Sequence, residues 1–228
     1  MSIFAKREKL CGFMLNILLQ ADAEIGLGTL ILAGGWLMLP LAILSIVSIY
    51  IFFERFSLIR KASVTDQKFM IRIRDLVASG KRQEAIALCR KKQTPIARMI
   101  EKGIFMMGRP VADIQASIEN IGNLEVSRLE TGLPFLATTA GGAPMIGFLG
   151  TVIGMVQAFM NLSTAGGGVD MALLSSGIYT AMITTVGGLV VGIPAYFGYN
   201  YLVTRVQKLV FQMEANTMAF MEILSNLK

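Results

Sequence analysis

Hydroxyl and amide side chains are the only strongly polar groups in three long stretches of this sequence. Residues 29–53, 131–169 and 171–204 hold no Asp, Glu, Lys or Arg, and the chain has no histidine at all. Thr138, Thr139, Thr151, Gln157 and Asn161 lie in the second stretch. Ser175, Ser176, Tyr179, Thr180, Thr184, Thr185 and Asn200 lie in the third. A proton wire or ion site in hydrocarbon normally needs a buried ionisable group. Here the titrating group of any ion path would have to come from another polypeptide. A membrane threonine commonly bonds back to its own helix, which satisfies it with no further role. Hydroxyls on two adjoining helices, in an apolar and glycine-lined setting, could instead coordinate water along a path. With two cysteines and no histidine, Ser-His-Asp and Cys-His nucleophilic systems and His/Cys metal sites are excluded. No Walker motif or nucleophile–base pair is present. The expectation is a protein without cofactor, and not an enzyme.

The elements that must carry these groups follow from composition. The 228 residues are 54% apolar and 16% charged, with a mean hydropathy of +0.62. Soluble domains run near 45–50% and about 25%. A span needs about 20 apolar residues, which predicts transmembrane helices over 29–53, 135–162 and 174–203. The Gly-rich STAGGGVD at 163–170 falls in a periplasmic turn, 163–173. Residues 54–134 contain 15 of the 21 basic residues against nine acids. The positive-inside bias puts that segment and the C-terminal helix, 204–228, in the cytoplasm, and the N-terminus outside. The net charge of +6 is thus a topology signal rather than a nucleic-acid patch. Residues 1–28 carry KREK, an apolar run and an A-x-A-like site, as a signal peptide does. The preferred reading is an amphipathic helix lying in the interface on the periplasmic side.

Within 54–134, Gly80, Thr94-Pro95 and Gly108-Arg109-Pro110 punctuate a series of helices. The last, from Val111, carries Ile114, Ile118, Ile121, Leu124 and Leu129 and is expected to run straight into the second span. In the spans, Gly147, Gly150 and Gly154, then Gly188 and Gly192 in a GxxxG pair, would let helices approach closely. Their density points to tight packing in an oligomer. Pro144 and Pro194 would bend the two helices. Arg55, Arg60, Lys61 and Arg205, beside the inner leaflet, are candidates for contact with anionic lipids.

APMIGFLGTVIGMVQAF at 143–159 and GIYTAMITTVGGLVVGIPAYFGYNYL at 177–202 resemble the paired helix motifs of the MotA/TolQ/ExbB proton-channel family. SGKRQEAIALCRKKQTPIARMIEKGI at 79–104 resembles the cytoplasmic segment of its ExbB and TolQ members. Three spans and one long cytoplasmic insertion suit the ExbB/TolQ branch, most of all ExbB. The resemblance implies an all-α integral membrane protein of the inner membrane that forms a pentameric ring. It implies an ExbD- or TolR-like single-span partner that supplies the membrane aspartate inside the pore. It also implies a motor that uses proton-motive force to drive a TonB- or TolA-like protein. The family's pore threonines carry over to Thr151 and Thr185. Many ExbB members have glutamate where this chain has Thr180, so that position, with Thr184, is expected to line the ion path with a hydroxyl in place of an acid. The hydroxyl pair Thr184-Thr185 is similar to that of sodium-driven members. Alternatives to the proton motor are therefore a sodium-driven or motility-type stator and a non-conducting scaffold.

Overall fold

The computed structural model describes residues 34–63, 67–164 and 171–226, and among these the secondary structure is helical. Residues 1–28, read as an interfacial helix, lie outside the described residues. Seven helices are described: α1 (Met38–Ala62), α2 (Gln67–Ala78), α3 (Arg82–Lys92), α4 (Pro95–Phe105), α5 (Val111–Glu130), α6 (Leu133–Thr164) and α7 (Met171–Asn226). Among the described residues three helical stretches are long and apolar enough to cross a membrane: Met38–Ala62, a part of Val111–Thr164 and a part of Leu174–Ser225.

Local chemistry sets the helix ends. Gly35 adopts φ +67° ahead of α1, so the helix begins at Met38 rather than at the start of the 29–53 run. Pro40 is tolerated in that first turn, where its missing N–H had no helical partner. Gly80, at φ +72°, ends α2. Lys81 N–H bonds to Leu76 O and Gly80 N–H to Val77 O, the paired bonds of a Schellman stop. Thr94 caps α4, its Oγ1 accepting from Ala97 N at 3.3 Å, with Pro95 at the first helical position. Between α5 and α6 the chain breaks at Thr131-Gly132, with Gly132 at φ +83°. The helix expected to continue unbroken into the second span is therefore two helices, because Leu133-Pro134 opens a new one. Beyond that point both prolines sit inside continuous helices, Pro144 in α6 and Pro194 in α7. At 56 residues α7 is more than twice the length a span requires.

The chain groups into two units. The first combines residues 34–45 with Gly142–Gly192, and its small core is Met38, Leu41, Ala143 and Ile183. The second combines Ile46–Gly141 with the chain from Ile193. Its core is larger and includes Ile73, Ile100, Ile104, Ile118, Leu136, Leu202, Leu209 and Phe220, all essentially inaccessible. Here the C-terminal part of α7 packs on α4 and α5: a Cβ on Gly103 would meet Phe220 Cε1 at 2.5 Å, and one on Gly122 would meet Met213 Cε at 4.0 Å. The buried stripe of α5 is Ile114, Ile118, Gly122, Glu125 and Leu129. Leu124, assigned to that stripe from sequence, is 59% exposed, since the 3.6-residue period carries the stripe through 125 instead.

Candidate functional site: a small-residue seam with threonine hydroxyls

In the first unit α6 and α7 meet along a line of small residues. A Cβ on Gly188 would lie 2.5 Å from Ala143 O and 3.0 Å from Gly147 Cα. One on Gly147 would lie 2.8 Å from Thr184 O, one on Gly150 2.3 Å from Thr184 Oγ1, and one on Gly154 2.8 Å from Ala181 Cβ. Gly177 faces Ala158 in the same way, and Gly192 is buried. Backbone touches backbone here, which only residues without a side chain permit. The glycines expected to serve packing in an oligomer are thus engaged within one chain. Their four-residue spacing marks a close helix contact equally well in either setting.

The seam also positions the hydroxyls. Thr184 is buried and donates to Ala181 O at 2.7 Å, a bond within its own helix. Thr185, partly exposed, donates across to Gly147 O at 3.1 Å and so joins the two helices. Thr151, one turn beyond Gly147, is partly exposed and donates to Phe148 O at 2.6 Å. Thr180 is partly exposed on α7. The structure therefore brings Thr184 and Thr185 against Gly147 and Gly150, in the turn before Thr151. Each of the three hydroxyl protons is committed to a carbonyl. The oxygens of the partly exposed Thr151 and Thr185 keep lone pairs that can accept from water or contact a hard cation, whereas Thr184 is closed within the seam. No side chain in residues 142–164 or 171–192 can accept or release a proton near neutral pH. Around the seam, Phe148, Val152, Met155, Phe159, Met182, Val186 and Leu189 are exposed, a surface suited to lipid or to neighbouring helices.

In the second unit the four basic positions assigned to lipid divide. Arg55 is largely enclosed. Its side chain is only 14% exposed, and its guanidinium donates to Arg128 O at 3.2 Å and to Glu54 Oε1 at 3.3 Å. Arg128 lies in the last turn of α5, whose free carbonyls draw this donor inward. Arg205 stacks on the Tyr201 ring at 5.3 Å and donates to its hydroxyl at 2.9 Å. With Arg60 it borders a hollow of about 350 Å³ floored by Phe56 and Tyr201. Lys61 is exposed.

A buried ionic group escaped the reading of the sequence. Glu125, 6% exposed at its side chain, receives Arg98 and Arg128, the latter at 3.0 Å. The signal was present: a carboxylate standing on an otherwise apolar helical stripe. Cys89 is also buried, and desolvation, aided by the negative charge of Glu101, pushes its thiol from 9.0 up to about 12.

Comparison with known proteins now bears on the seam. The sequence model of the MotA/TolQ/ExbB proton channel family matches residues 91–215. A biopolymer transport protein ExbB homologue of Methanothermobacter thermautotrophicus is 28% identical over 183 residues, 80% of this chain and 64% of that protein. The match thus spans a little under two thirds of that relative's own length. An ExbB-like protein of Synechocystis is 30% identical over 180 residues, 76% of this chain and 69% of that protein. The Tol-Pal system protein TolQ of Haemophilus influenzae is 45% identical over 84 residues, 37% of this chain and 36% of that protein. The family match covers more than half of the chain, including both helices of the seam and the helices α4 and α5 that precede them. With three helices of spanning length among the described residues, this multi-pass membrane protein belongs to the MotA/TolQ/ExbB proton channel family.

Proposed function

We propose that this chain is the ExbB-like subunit of an inner-membrane ion-driven motor. Five copies form a ring in which the second and third spans line the pore, with the N-terminus periplasmic and the C-terminus cytoplasmic. An ExbD- or TolR-like single-span protein threads the ring and carries the aspartate that takes and releases the proton. The work is delivered to a TonB- or TolA-like envelope protein. One observation supports this reading above the others. The seam offers hydroxyl oxygens from the partly exposed Thr151 and Thr185, yet no acid or base. Such a wall can hydrate a moving ion but cannot store a proton, so the storage group belongs to a partner. The exposed Arg60 and Lys61, and Arg205 on its tyrosine, stand where anionic headgroups would meet the chain.

The test is ion flux through the complex reconstituted with its single-span partner, and through this chain alone. Thr151→Val and Thr185→Val should each abolish flux and energy-dependent uptake while the ring still assembles. Normal uptake by both variants would remove the two threonines from the path. Full flux from this chain alone would reject the division of labour. A requirement for Na⁺ would replace the proton as the coupling ion, and no flux from the complete complex would favour the scaffold.

A further inference from the structure

We propose that the second unit carries two complementary faces, on opposite flanks of α5, and that each is covered by a second copy of this chain. The proposal rests on the ring reading above and names the surfaces by which neighbours meet. The first face is a hollow of about 650 Å³ between α4, α5 and the C-terminal part of α7. Met99, Met213, Met218 and Met221 give it adaptable apolar walls. Glu119 of α5 and Glu214 of α7 also line it and are exposed. Glu119 accepts from Gln115 Nε2 at 2.9 Å, a neutral donor that leaves its charge in place. Among the described residues no lysine or arginine lines this hollow, and neither acid is in an ion pair. The second face surrounds Phe105, the last residue of α4, which is largely exposed although most of that helix is buried. At 11 residues α4 is not a membrane span, and its bare phenylalanine beside the exposed Leu124 marks a contact surface. Arg90, Lys102 and Arg128 stand around it. The side chains of Arg90 and Arg128 are 73% and 71% exposed, whereas the acids they pair with, Glu101 and Glu125, are 26% and 6% exposed. These pairs therefore turn their positive ends outward. Among the described residues Lys102 is in no ion pair.

The placement of the two faces calls for another molecule. On α5, Glu119, Asn123 and Val126 line the methionine hollow, while Ile121, Leu124 and Arg128 line the surface around Phe105. At about 3.6 residues per turn these sets fall on opposite flanks of the helix. One chain cannot fill its own hollow with its own Phe105, but a neighbour can. Lys102 and Phe105 lie one turn apart on α4, so they share a side of that helix and enter together. The phenyl ring then meets methionine sulfurs, a favourable contact, and the ammonium meets the carboxylates of Glu119 and Glu214. Opposite potentials on the two faces fix the register and the choice of partner face. Contact between unlike faces is head to tail, and it repeats from copy to copy until the ring closes. A two-fold contact through either face alone would set like charge against like charge, which is costly.

The experiment uses the full chain in native membranes, in a Cys11→Ser background where the remaining Cys89 is buried. Chains with Lys102→Cys and one tag are co-expressed with chains carrying Glu214→Cys and another tag. Oxidation with copper phenanthroline should give a covalent dimer that holds both tags, and neither variant expressed alone should dimerise. In a second arm, Lys102→Glu should lower the ring population seen by native mass spectrometry by about tenfold or more at equal concentration, because it sets an acid against Glu119 and Glu214. Adding Glu214→Lys should restore most of that population, which a folding defect would not allow. Lys91→Glu, an equal charge change at an exposed position outside both faces, should leave the ring intact. A ring that persists without the mixed cross-link overturns the proposal and leaves the ring reading standing. Cross-linking of either variant with itself, or a charge swap that restores nothing, also overturns it. A native chain that is monomeric in the membrane removes the ring reading and the proposal together.

Discussion

Replacing Gly188 by alanine tests whether the seam holds α6 and α7 together. The added methyl would lie 2.5 Å from Ala143 O and 3.0 Å from Gly147 Cα, both backbone atoms that cannot rotate away. A carbon-to-oxygen contact is comfortable near 3.3 Å, so the helices must part locally by about 0.8 Å. A gap of that size forfeits roughly a quarter to a half of each van der Waals contact along the line. The bond from Thr185 to Gly147 O, now 3.1 Å, would stretch beyond hydrogen-bond range. Interhelical bonds of this kind contribute about 0.6 kcal/mol in membranes, and overpacking costs about 1–3 kcal/mol. Better helix propensity of alanine offsets up to about 1 kcal/mol. The net loss should be about 1–2 kcal/mol. Gly142→Ala is the matched control, because nothing stands within 4 Å of a Cβ there. It should be neutral or slightly stabilising. Helicity followed against SDS mole fraction in mixed micelles would report both. Equal midpoints for Gly188→Ala and the native chain, or an equal loss from Gly142→Ala, would refute the packing argument.

Two further outcomes concern the second unit. Arg98→Ala leaves the buried Glu125 with Arg128 alone, and the variant should lose about 1–2 kcal/mol, a value reduced because both arginines are partly exposed. Adding Glu125→Leu should recover part of it, and unfolding midpoints of the single and double variants measure this; no recovery would mean the carboxylate is not the source of the cost. Cys89 is held neutral to about pH 12, against 9.0 when unfolded. Its contribution is complete below pH 9 and is lost as pH rises from there, because the unfolded chain gives up its proton first. In a Cys11→Ser background, maleimide labelling of Cys89 at pH 8 should be far slower than in denaturant. Cys89→Ala should flatten the fall in stability above pH 9, and an unchanged slope would count against burial as the cause.

Much of the fold was legible because the signals were long or local. Charge-free runs of 25 residues and more leave little choice but a membrane helix. Gly80 and Thr94-Pro95 end and start helices through their own backbone chemistry, which distant residues do not alter. What was hidden depended on partners remote in sequence. Gly147 and Gly188 read as adhesive surfaces, but nothing in their spacing says whether the opposing helix belongs to the same chain. Arg55 follows an apolar run, and nothing near it in sequence announces that its guanidinium reaches the carbonyl of Arg128 at the end of α5. Glu125 stands on the buried stripe of α5, but its chief partner, Arg98 of α4, lies 27 residues away in sequence.

These cases explain why the polar groups of the two units are satisfied so differently. In the seam the hydroxyl of Thr185 can cross to Gly147 O only because Gly147 and Gly188 let the backbones touch, so packing and polarity are one device there. A larger residue at either position would lose the contact and the bond together. In the second unit charge is balanced by side chains that reach across elements, Arg98 of α4 and Arg128 of α5 meeting at the carboxylate of Glu125. The seam has no such pair, because no acid or base stands in residues 142–164 or 171–192. Under the proposed division of labour the charge in the pore is a partner's carboxylate, and Thr151→Val or Thr185→Val interrupts the hydrated path to it while the Arg98–Glu125 pair stays in place.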